Sequence, residues 1–276
     1  MSSNNGAAGA AGIPEGISGV IPADSITQVD ALKLILLGEP GAGKSWCSCT
    51  GRPPIFVADC DDRRASIAGK PGVLVKTYVD RNPLMPHAWS DIETDLGAFE
   101  YAKQKGTLGI KTYVIASLTY LLKYAQHQLI KDQPSLCRTG VINGTKYPIT
   151  QGWDSVIYAQ KMIEGLLNRL FELGVDVIVE AHIRREKDAT WTEKNPKFTD
   201  KWSIDPQNLK MLLPVFNERW LVDNANDSYK VTTKPTYDFN AVTALNIDGS
   251  ETANITEILA KHDINTKNKK GASRGH

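Results

Sequence analysis

Residues 33–45 read KLILLGEPGAGKS, in which a short apolar run ends at a glycine and leads into the pattern G-x-x-x-x-G-K-S. The apolar run is typical of a buried parallel strand. The glycines allow consecutive backbone N–H groups to face a phosphate, and the following helix places its positive end at the same point. We therefore expect Lys44 to reach the β- and γ-phosphates of a nucleotide and the Ser45 hydroxyl to bind Mg²⁺. The predicted nucleotide contacts are Gly38, Glu39, Pro40, Gly41, Ala42, Gly43, Lys44, Ser45 and Trp46.

Apolar runs and helical patterns alternate along the chain after this loop. Further strands are predicted at 55–58, 73–75, 113–116 and 175–179, and the clearest helix is predicted at 153–173. Strands that alternate with helices indicate a mainly parallel sheet with helices on both faces. Two later apolar runs, 219–222 and 229–233, are separated by a turn-rich segment and predict an antiparallel pair at the sheet edge. The predicted fold class is therefore α/β.

Composition divides the chain into three predicted regions and excludes several classes of protein. Residues 1–24 are rich in glycine and alanine and predict a flexible arm, 25–248 form the nucleotide-binding core, and 249–276 predict a short helix and a basic tail. Lys plus Arg number 32 against 31 Asp plus Glu, so any contact with a polyanion must be local. The longest uncharged apolar stretch is shorter than the ~18 residues of a membrane span, and no secretory signal is visible, so we expect a cytoplasmic protein without membrane contact.

Five segments resemble, in chain order, the RecA-like ATPases, and most closely the phage Sak-type single-domain RecA-like proteins. They are 34–45 with the phosphate loop, 55–62, 112–119, 177–182 and 230–235, and the resemblance extends over about 32–261. It implies a RecA-like P-loop NTPase fold and a DNA-stimulated ATPase that needs ATP and Mg²⁺. It also implies binding of single-stranded DNA, annealing or homologous recombination, and assembly into a homo-oligomer or filament. A single-strand-binding protein is an expected partner, and the host-cell cytoplasm is the expected location.

The resemblance assigns catalytic roles to residues that follow predicted strands. Asp61 matches the acidic residue that activates the attacking water. The nearby Asp59 is a candidate ligand of Mg²⁺ in addition to Ser45. His182 matches the polar residue that senses the γ-phosphate and moves the DNA-binding loop behind it. Two alternatives stay open. Residues 61–64 also fit a solvated helix start with ion pairs, and a lone histidine is usually structural.

The segment that begins directly after His182 is the predicted DNA-binding loop. Residues 184–201 contain several basic residues with interleaved aromatic residues. Basic side chains neutralise phosphates, and aromatic side chains stack on bases. We expect DNA contacts from Arg184, Arg185, Trp191, Lys194, Lys197, Phe198 and Lys201. A second long loop that faces DNA is predicted at 132–152. An ordinary polar surface loop is the alternative for either segment.

One position departs from the RecA-like pattern. The predicted strand 113–116 ends in Ala116, where the family has an aspartate that holds Mg²⁺ through its water shell. We expect this chain to bind ATP but to hydrolyse it slowly, unless Asp59, Asp61 or Glu180 replaces the missing acid.

Two other function classes also fit the phosphate loop. A small-molecule kinase would begin in the same way and would use Asp62 and Arg63 to bind its substrate. A nucleotide-bound scaffold would bind ATP without turnover. Phosphate release stimulated by single-stranded DNA distinguishes the RecA-like function from both, because a kinase would phosphorylate an added nucleoside and a scaffold would do neither.

Overall fold

Strand β1 (Lys33–Gly38) lies inside one large sheet, and the phosphate loop follows it. The computed structural model describes residues 31–82, 85–136, 138–142, 145–149, 153–187, 190, 192, 198–225, 228–237, 239–245, 247 and 249–262, all within one compact unit. The other strands are β2 (Ile55–Asp59), β3 (Val73–Thr77), β4 (Thr112–Ala116), β5 (Arg138–Ile142), β6 (Thr145–Ile149), β7 (Asp176–Lys187), β8 (Phe198–Asp205), β9 (Glu218–Ala225), β10 (Ser228–Thr232) and β11 (Ser250–Thr252). The α-helices are α1 (Lys44–Ser48), α2 (Ala88–Gln104), α3 (Leu118–Asp132), α4 (Trp153–Glu172) and α5 (255–262), and 3₁₀ helices occupy Arg64–Ile67, Pro134–Leu136 and Gln207–Val215.

Among the described residues, nine strands form one mixed sheet in the order β11-β10-β9-β1-β7-β4-β2-β3, with β8 paired to β7. The strands from β9 to β3 in this order run parallel to one another. Strand β10 pairs antiparallel with β9, and β11 pairs antiparallel with β10 at the edge. The α/β fold class and the antiparallel pair near the sheet edge are therefore confirmed.

Helices cover both faces of the sheet. Alternate residues of β1 are buried on opposite faces, because successive side chains of a strand point in opposite directions. Ile35 belongs to the main hydrophobic cluster, which α2, α3 and α4 complete. Leu36 is equally buried but lies outside that cluster, on the face where α1 packs. On the α1 face, α5 is held by Thr256, whose hydroxyl donates to the carbonyl of Thr50 at 2.5 Å.

The sequence predicts a long irregular loop over 184–201, and this prediction is wrong at both ends of the segment, where 184–187 and 198–201 belong to strands. Strand β7 extends into the segment and pairs antiparallel with β8. Side chains alternate here as in any strand, since Ile183 is buried and Arg184 is exposed. The Arg185 guanidinium lies 4.3 Å from the ring centroid of Trp202 on the opposite strand. Because the segment 184–201 contains many charged residues, a search for apolar runs does not detect its strands.

Other predicted regions fall partly outside the described residues. The predicted arm, 1–24, and the basic tail beyond residue 262 both lie outside them. The loop predicted at 132–152 contains the antiparallel hairpin β5–β6, so the prediction of an irregular segment is wrong there as well. Helix α5 occupies the position of the predicted C-terminal helix. No helix in the described part of the chain is long and apolar enough to cross a membrane.

A buried carboxylate at the start of β7 joins this strand to its neighbours. The Asp176 side chain is fully buried and accepts a hydrogen bond from the backbone N–H of Leu32 at 2.8 Å. It also accepts a hydrogen bond from Nε of Arg52 at 2.6 Å and pairs with a second guanidinium nitrogen of the same residue. The residue before β1 and a residue after α1 are therefore bound to one anion.

We expect Asp176→Ala to lower the free energy of unfolding by about 2 kcal/mol, because the change leaves the buried N–H of Leu32 without its acceptor and removes the ion pair of the partly exposed Arg52. Urea denaturation measures this loss. The control Glu100→Ala removes the partner of Arg169 in a more exposed ion pair and should cost at most about 1 kcal/mol. Equal losses in the two variants would contradict a special role for Asp176.

Candidate nucleotide-binding site

The phosphate loop connects β1 to α1 and has the backbone shape that its sequence predicts. Gly41 and Gly43 adopt φ angles of 84° and 91°, in the left-handed region that favours glycine. The backbone N–H of Ala42 donates to the carbonyl of Glu39 at 3.1 Å and closes the turn. A Cβ atom on Gly43 would lie 2.3 Å from Cδ1 of Tyr229, so both conformation and space require glycine there.

The Lys44 side chain is held inside the loop. Its Nζ donates to the carbonyl oxygens of Gly38 at 2.8 Å and Glu39 at 2.9 Å, and it lies 3.4 Å from Nδ1 of His182. Burial lowers the pKa of Lys44 to about 8, although the nearby Glu180 carboxylate opposes this shift. A bound phosphate would add negative charge here and would stabilise the protonated ammonium group.

A buried carboxylate on β7, Glu180, contacts the helix that follows the loop. Its Oε2 accepts a hydrogen bond from Oγ of Ser45 at 2.8 Å, and its Oε1 accepts one from Oγ of Ser48 at 2.6 Å. Burial raises the pKa of Glu180, while the two hydroxyls and Lys44 oppose the rise. In the sequence, Glu180 is a charged residue inside the apolar run 177–181. That interruption is the signal that could have made Glu180 the leading candidate for the Mg²⁺-binding acid. From the sequence alone, it is only one of three possible replacements for the acid missing at Ala116.

The two acidic residues predicted after the second strand have different surroundings. Asp59 is buried at the end of β2, where it accepts hydrogen bonds from the backbone N–H of Arg63 at 3.2 Å and from the hydroxyl of Thr77 at 3.1 Å. Burial and the neighbouring Asp59 raise the pKa of Asp61 to about 7, although Arg63 opposes the rise. A carboxyl group with a pKa near 7 suits general base catalysis at neutral pH. Asp61 also lines the cavity described below and Asp59 does not, so Asp61 fits the predicted catalytic role better.

His182 lies where β1 and β7 run side by side, opposite Gly38 in the register. Burial and the charge of Lys44 lower the pKa of His182 to about 4, so the ring is neutral at pH 7. A neutral imidazole keeps one nitrogen as an acceptor, and Nδ1 can take this role toward Nζ of Lys44. A ligand that binds Lys44 would therefore also act on His182 through this contact.

These residues surround one cavity of about 270 Å³. The predicted residues that line it are Gly41, Gly43, Lys44, Ser45, Trp46, Asp61 and His182. Its volume is close to the lower end of the ~300–1,000 Å³ usual for small-molecule pockets, and its lining residues are those expected around the phosphates of a nucleotide. Tyr229 also lines it and stacks on Trp46 with ring centroids 5.7 Å apart. Sequence reasoning missed Tyr229, because its contact with the loop depends on how β10 is placed.

The remaining predicted residues lie beside the cavity or outside the described residues. Gly38, Glu39, Pro40 and Ala42 belong to the same loop, and Asp59 is buried behind it. Arg184 and Arg185 lie on β7 beyond the cavity, while Phe198 and Lys201 belong to β8. Trp191, Lys194 and Lys197 lie outside the described residues. The structure therefore brings the predicted nucleotide-binding residues together, and it places the four described residues of the predicted DNA contacts on β7 and β8.

The cavity has groups that fit Mg²⁺ bound together with a nucleotide. The described residues contain no group of three or more His, Cys, Asp or Glu side chains that could hold a metal. Mg²⁺ needs fewer protein ligands when phosphates and waters fill most of its shell. The Ser45 hydroxyl lines the cavity next to the Glu180 carboxylate, and these two groups fit the ion. Ala116, in register with Glu180 on the adjacent strand, offers only a methyl group.

A mainly parallel sheet with this loop, lysine and serine around one cavity defines a P-loop ATPase, a class that binds a nucleotide and usually Mg²⁺. A family model described as an AAA domain matches residues 30–209, well over half of the chain. The chain therefore belongs to the AAA domain family. A search of curated proteins found none that matches this sequence.

We expect Lys44→Ala to abolish tight ATP binding, with a loss of at least about tenfold in affinity, because the change removes the cation that faces the phosphates. Fluorescence titration with a labelled ATP analogue measures the affinity. Lys123→Ala removes an exposed lysine of α3 and serves as the control, with unchanged affinity. Equal affinity in wild type and Lys44→Ala would refute the assignment of the site.

Proposed function

We propose that this chain is a RecA-like ATPase that binds single-stranded DNA and promotes annealing or homologous recombination as a homo-oligomer or filament. The observation that carries the proposal is the contact between the phosphate loop and β7, with 3.4 Å between Nζ of Lys44 and Nδ1 of His182. Strand β7 continues directly from His182 into the β7–β8 hairpin, which carries basic residues. One strand thus connects the ATP cavity to a candidate DNA surface.

The position and the pKa of Asp61 support ATP hydrolysis. Water attacks the γ-phosphorus, the bond from this phosphorus to the oxygen bridging the β- and γ-phosphates breaks, and a proton of the water passes to the Asp61 carboxylate. Lys44 stabilises the negative charge that develops on the β- and γ-phosphate oxygens. Ser45 and Glu180 would hold Mg²⁺, which when bound neutralises charge on the same oxygens.

His182 supports a link between ATP and the hairpin. In the β7–β8 register His182 lies opposite Asp205, and Asp205 Oδ1 lies 3.1 Å from Nε of Arg184. A γ-phosphate that attracts Lys44 would weaken the contact between Lys44 and His182. The change would therefore reach an exposed arginine of the hairpin through two neighbouring residues.

The charge of the hairpin supports DNA binding. Arg184 and Lys187 are exposed on β7, and Arg185 stacks on Trp202. Cations neutralise phosphates, and aromatic and guanidinium faces stack on bases without sequence preference. The predicted residues Trp191, Lys194 and Lys197 follow in the sequence between β7 and β8. Assembly into a filament and a single-strand-binding protein as partner rest on the sequence resemblance.

We expect the chain to release phosphate from ATP faster when single-stranded DNA is present. Asp61→Asn should lower kcat at least about 100-fold with little change in ATP affinity, because the amide cannot accept the proton of the attacking water. The matched control Asp62→Asn changes a neighbouring exposed carboxylate that pairs with Arg81, and it should keep kcat. Phosphorylation of an added nucleoside would favour a kinase, and ATP binding without turnover would favour a scaffold.

We expect the double variant Arg184→Ala, Lys187→Ala to bind single-stranded DNA more weakly and with a shallower salt dependence. Each lost phosphate contact should reduce the slope of log affinity against log salt by about 0.7. Fluorescence anisotropy at several salt concentrations measures the slope. Lys123→Ala, Lys161→Ala removes two exposed cations from α3 and α4 and serves as the control. Identical slopes in the two double variants would show that the hairpin is not the DNA surface.

A further inference from the structure

The acid missing from β4 has a counterpart on the neighbouring strand. Ala116 ends β4, and its register partner on β7 is Glu180. Because β7 lies between β1 and β4, Glu180 is one strand spacing, about 4.8 Å, closer to the phosphate loop than residue 116 is. We propose that Glu180 replaces the missing acid and is the carboxylate that holds Mg²⁺ and its water shell beside Ser45. The inference rests on the ATPase function proposed above.

The hydrogen bonds of Glu180 are compatible with this role. A carboxylate has about four lone-pair positions, and the hydroxyls of Ser45 and Ser48 use one on each oxygen. Two positions therefore remain for waters of a metal shell. Ser45 donates its single hydroxyl hydrogen to Glu180, which leaves the lone pairs of the Ser45 oxygen for the metal. An anionic acceptor also makes that oxygen a stronger ligand, as outer partners of metal ligands do.

Ser117 is an independent sign that a polar ligand belongs in the cavity. Its side chain is 2% exposed and lines the same cavity as Ser45 and Glu180. Its hydroxyl oxygen has no hydrogen-bond partner among the described residues. Buried hydroxyls are normally satisfied by protein, water or an ion. A water of the metal shell would satisfy this one.

The other acids near the cavity are engaged elsewhere. Asp59 accepts hydrogen bonds from the backbone of Arg63 and from the Thr77 hydroxyl. Asp61 forms an ion pair with Arg63, with 3.4 Å between Oδ2 and Nε, and is the base of the proposed hydrolysis. Glu180 is the acid whose oxygen contacts the serine that would bind the metal.

Calorimetric titration with a non-hydrolysable ATP analogue tests the inference without any turnover. The affinity is measured once in EDTA and once with excess Mg²⁺, and the ratio of the two is the Mg²⁺ gain. Glu180→Gln keeps the shape of the side chain but removes its charge. We expect this variant to lose at least about tenfold of the Mg²⁺ gain, with an affinity in EDTA that is unchanged or higher.

Two further variants control the result. Glu218→Gln changes an equally buried glutamate of β9, which binds Trp220 and the backbone of Ala244, and it should keep the full Mg²⁺ gain. Adding Ala116→Asp to Glu180→Gln should restore the gain, because the register places residue 116 beside residue 180.

A folded Glu180→Gln variant that keeps the wild-type Mg²⁺ gain would overturn the inference. If that variant does not fold, Ala116→Asp alone decides. A second carboxylate beside Glu180 should weaken binding in EDTA and increase the Mg²⁺ gain, and an unchanged gain would overturn the inference as well. A wild-type chain that binds the analogue in neither condition would instead refute the ATPase function.

Discussion

Two buried carboxylates fix β7 against the segment that contains β1, the phosphate loop and α1. Asp176 binds the residues on either side of this segment, and Glu180, on the same face of β7, binds two serines of α1. A buried anion that loses its partners is costly, so a shift of the β1–β7 register by one residue would leave both carboxylates unsatisfied. This constraint places Gly38 opposite His182, and the contact between Lys44 and His182 follows from it.

Strand β7 has two halves with different surroundings, and the cavity lies where they meet. From Asp176 to Ala181 the strand is buried between parallel neighbours, whereas beyond His182 it pairs with β8 and its side chains become more exposed. The buried half is held in place by the sheet on both sides. If ATP displaces His182 as proposed above, the exposed half would take up the displacement, toward the hairpin that carries Arg184. The strand that lines the cavity thus continues to the protein surface.

The phosphate loop and the order of strands and helices could be predicted, because 33–45 carries both an apolar strand and the glycines that its turn requires. The β7–β8 hairpin could not be predicted, because 184–201 is rich in charged residues. The alternation of its side chains becomes visible only in the structure, where Arg185 stacks on Trp202. Contacts between residues far apart in the sequence could not be predicted either. Glu180 and its serine partner in the loop are 135 residues apart, and no local pattern reveals such a pairing.

Ala116 and Glu180 are best understood as one pair. They are adjacent in register and are 7% and 3% exposed. Two carboxylates at such positions would repel each other in a buried site whenever no cation lies between them. An acid at either position can serve the metal, but acids at both would destabilise the nucleotide-free protein. A small apolar residue at 116 is then the expected companion of Glu180, and slow hydrolysis does not follow from Ala116 alone. In the hydrolysis proposed above, the rate depends instead on Asp61, which must be unprotonated to take a proton from water.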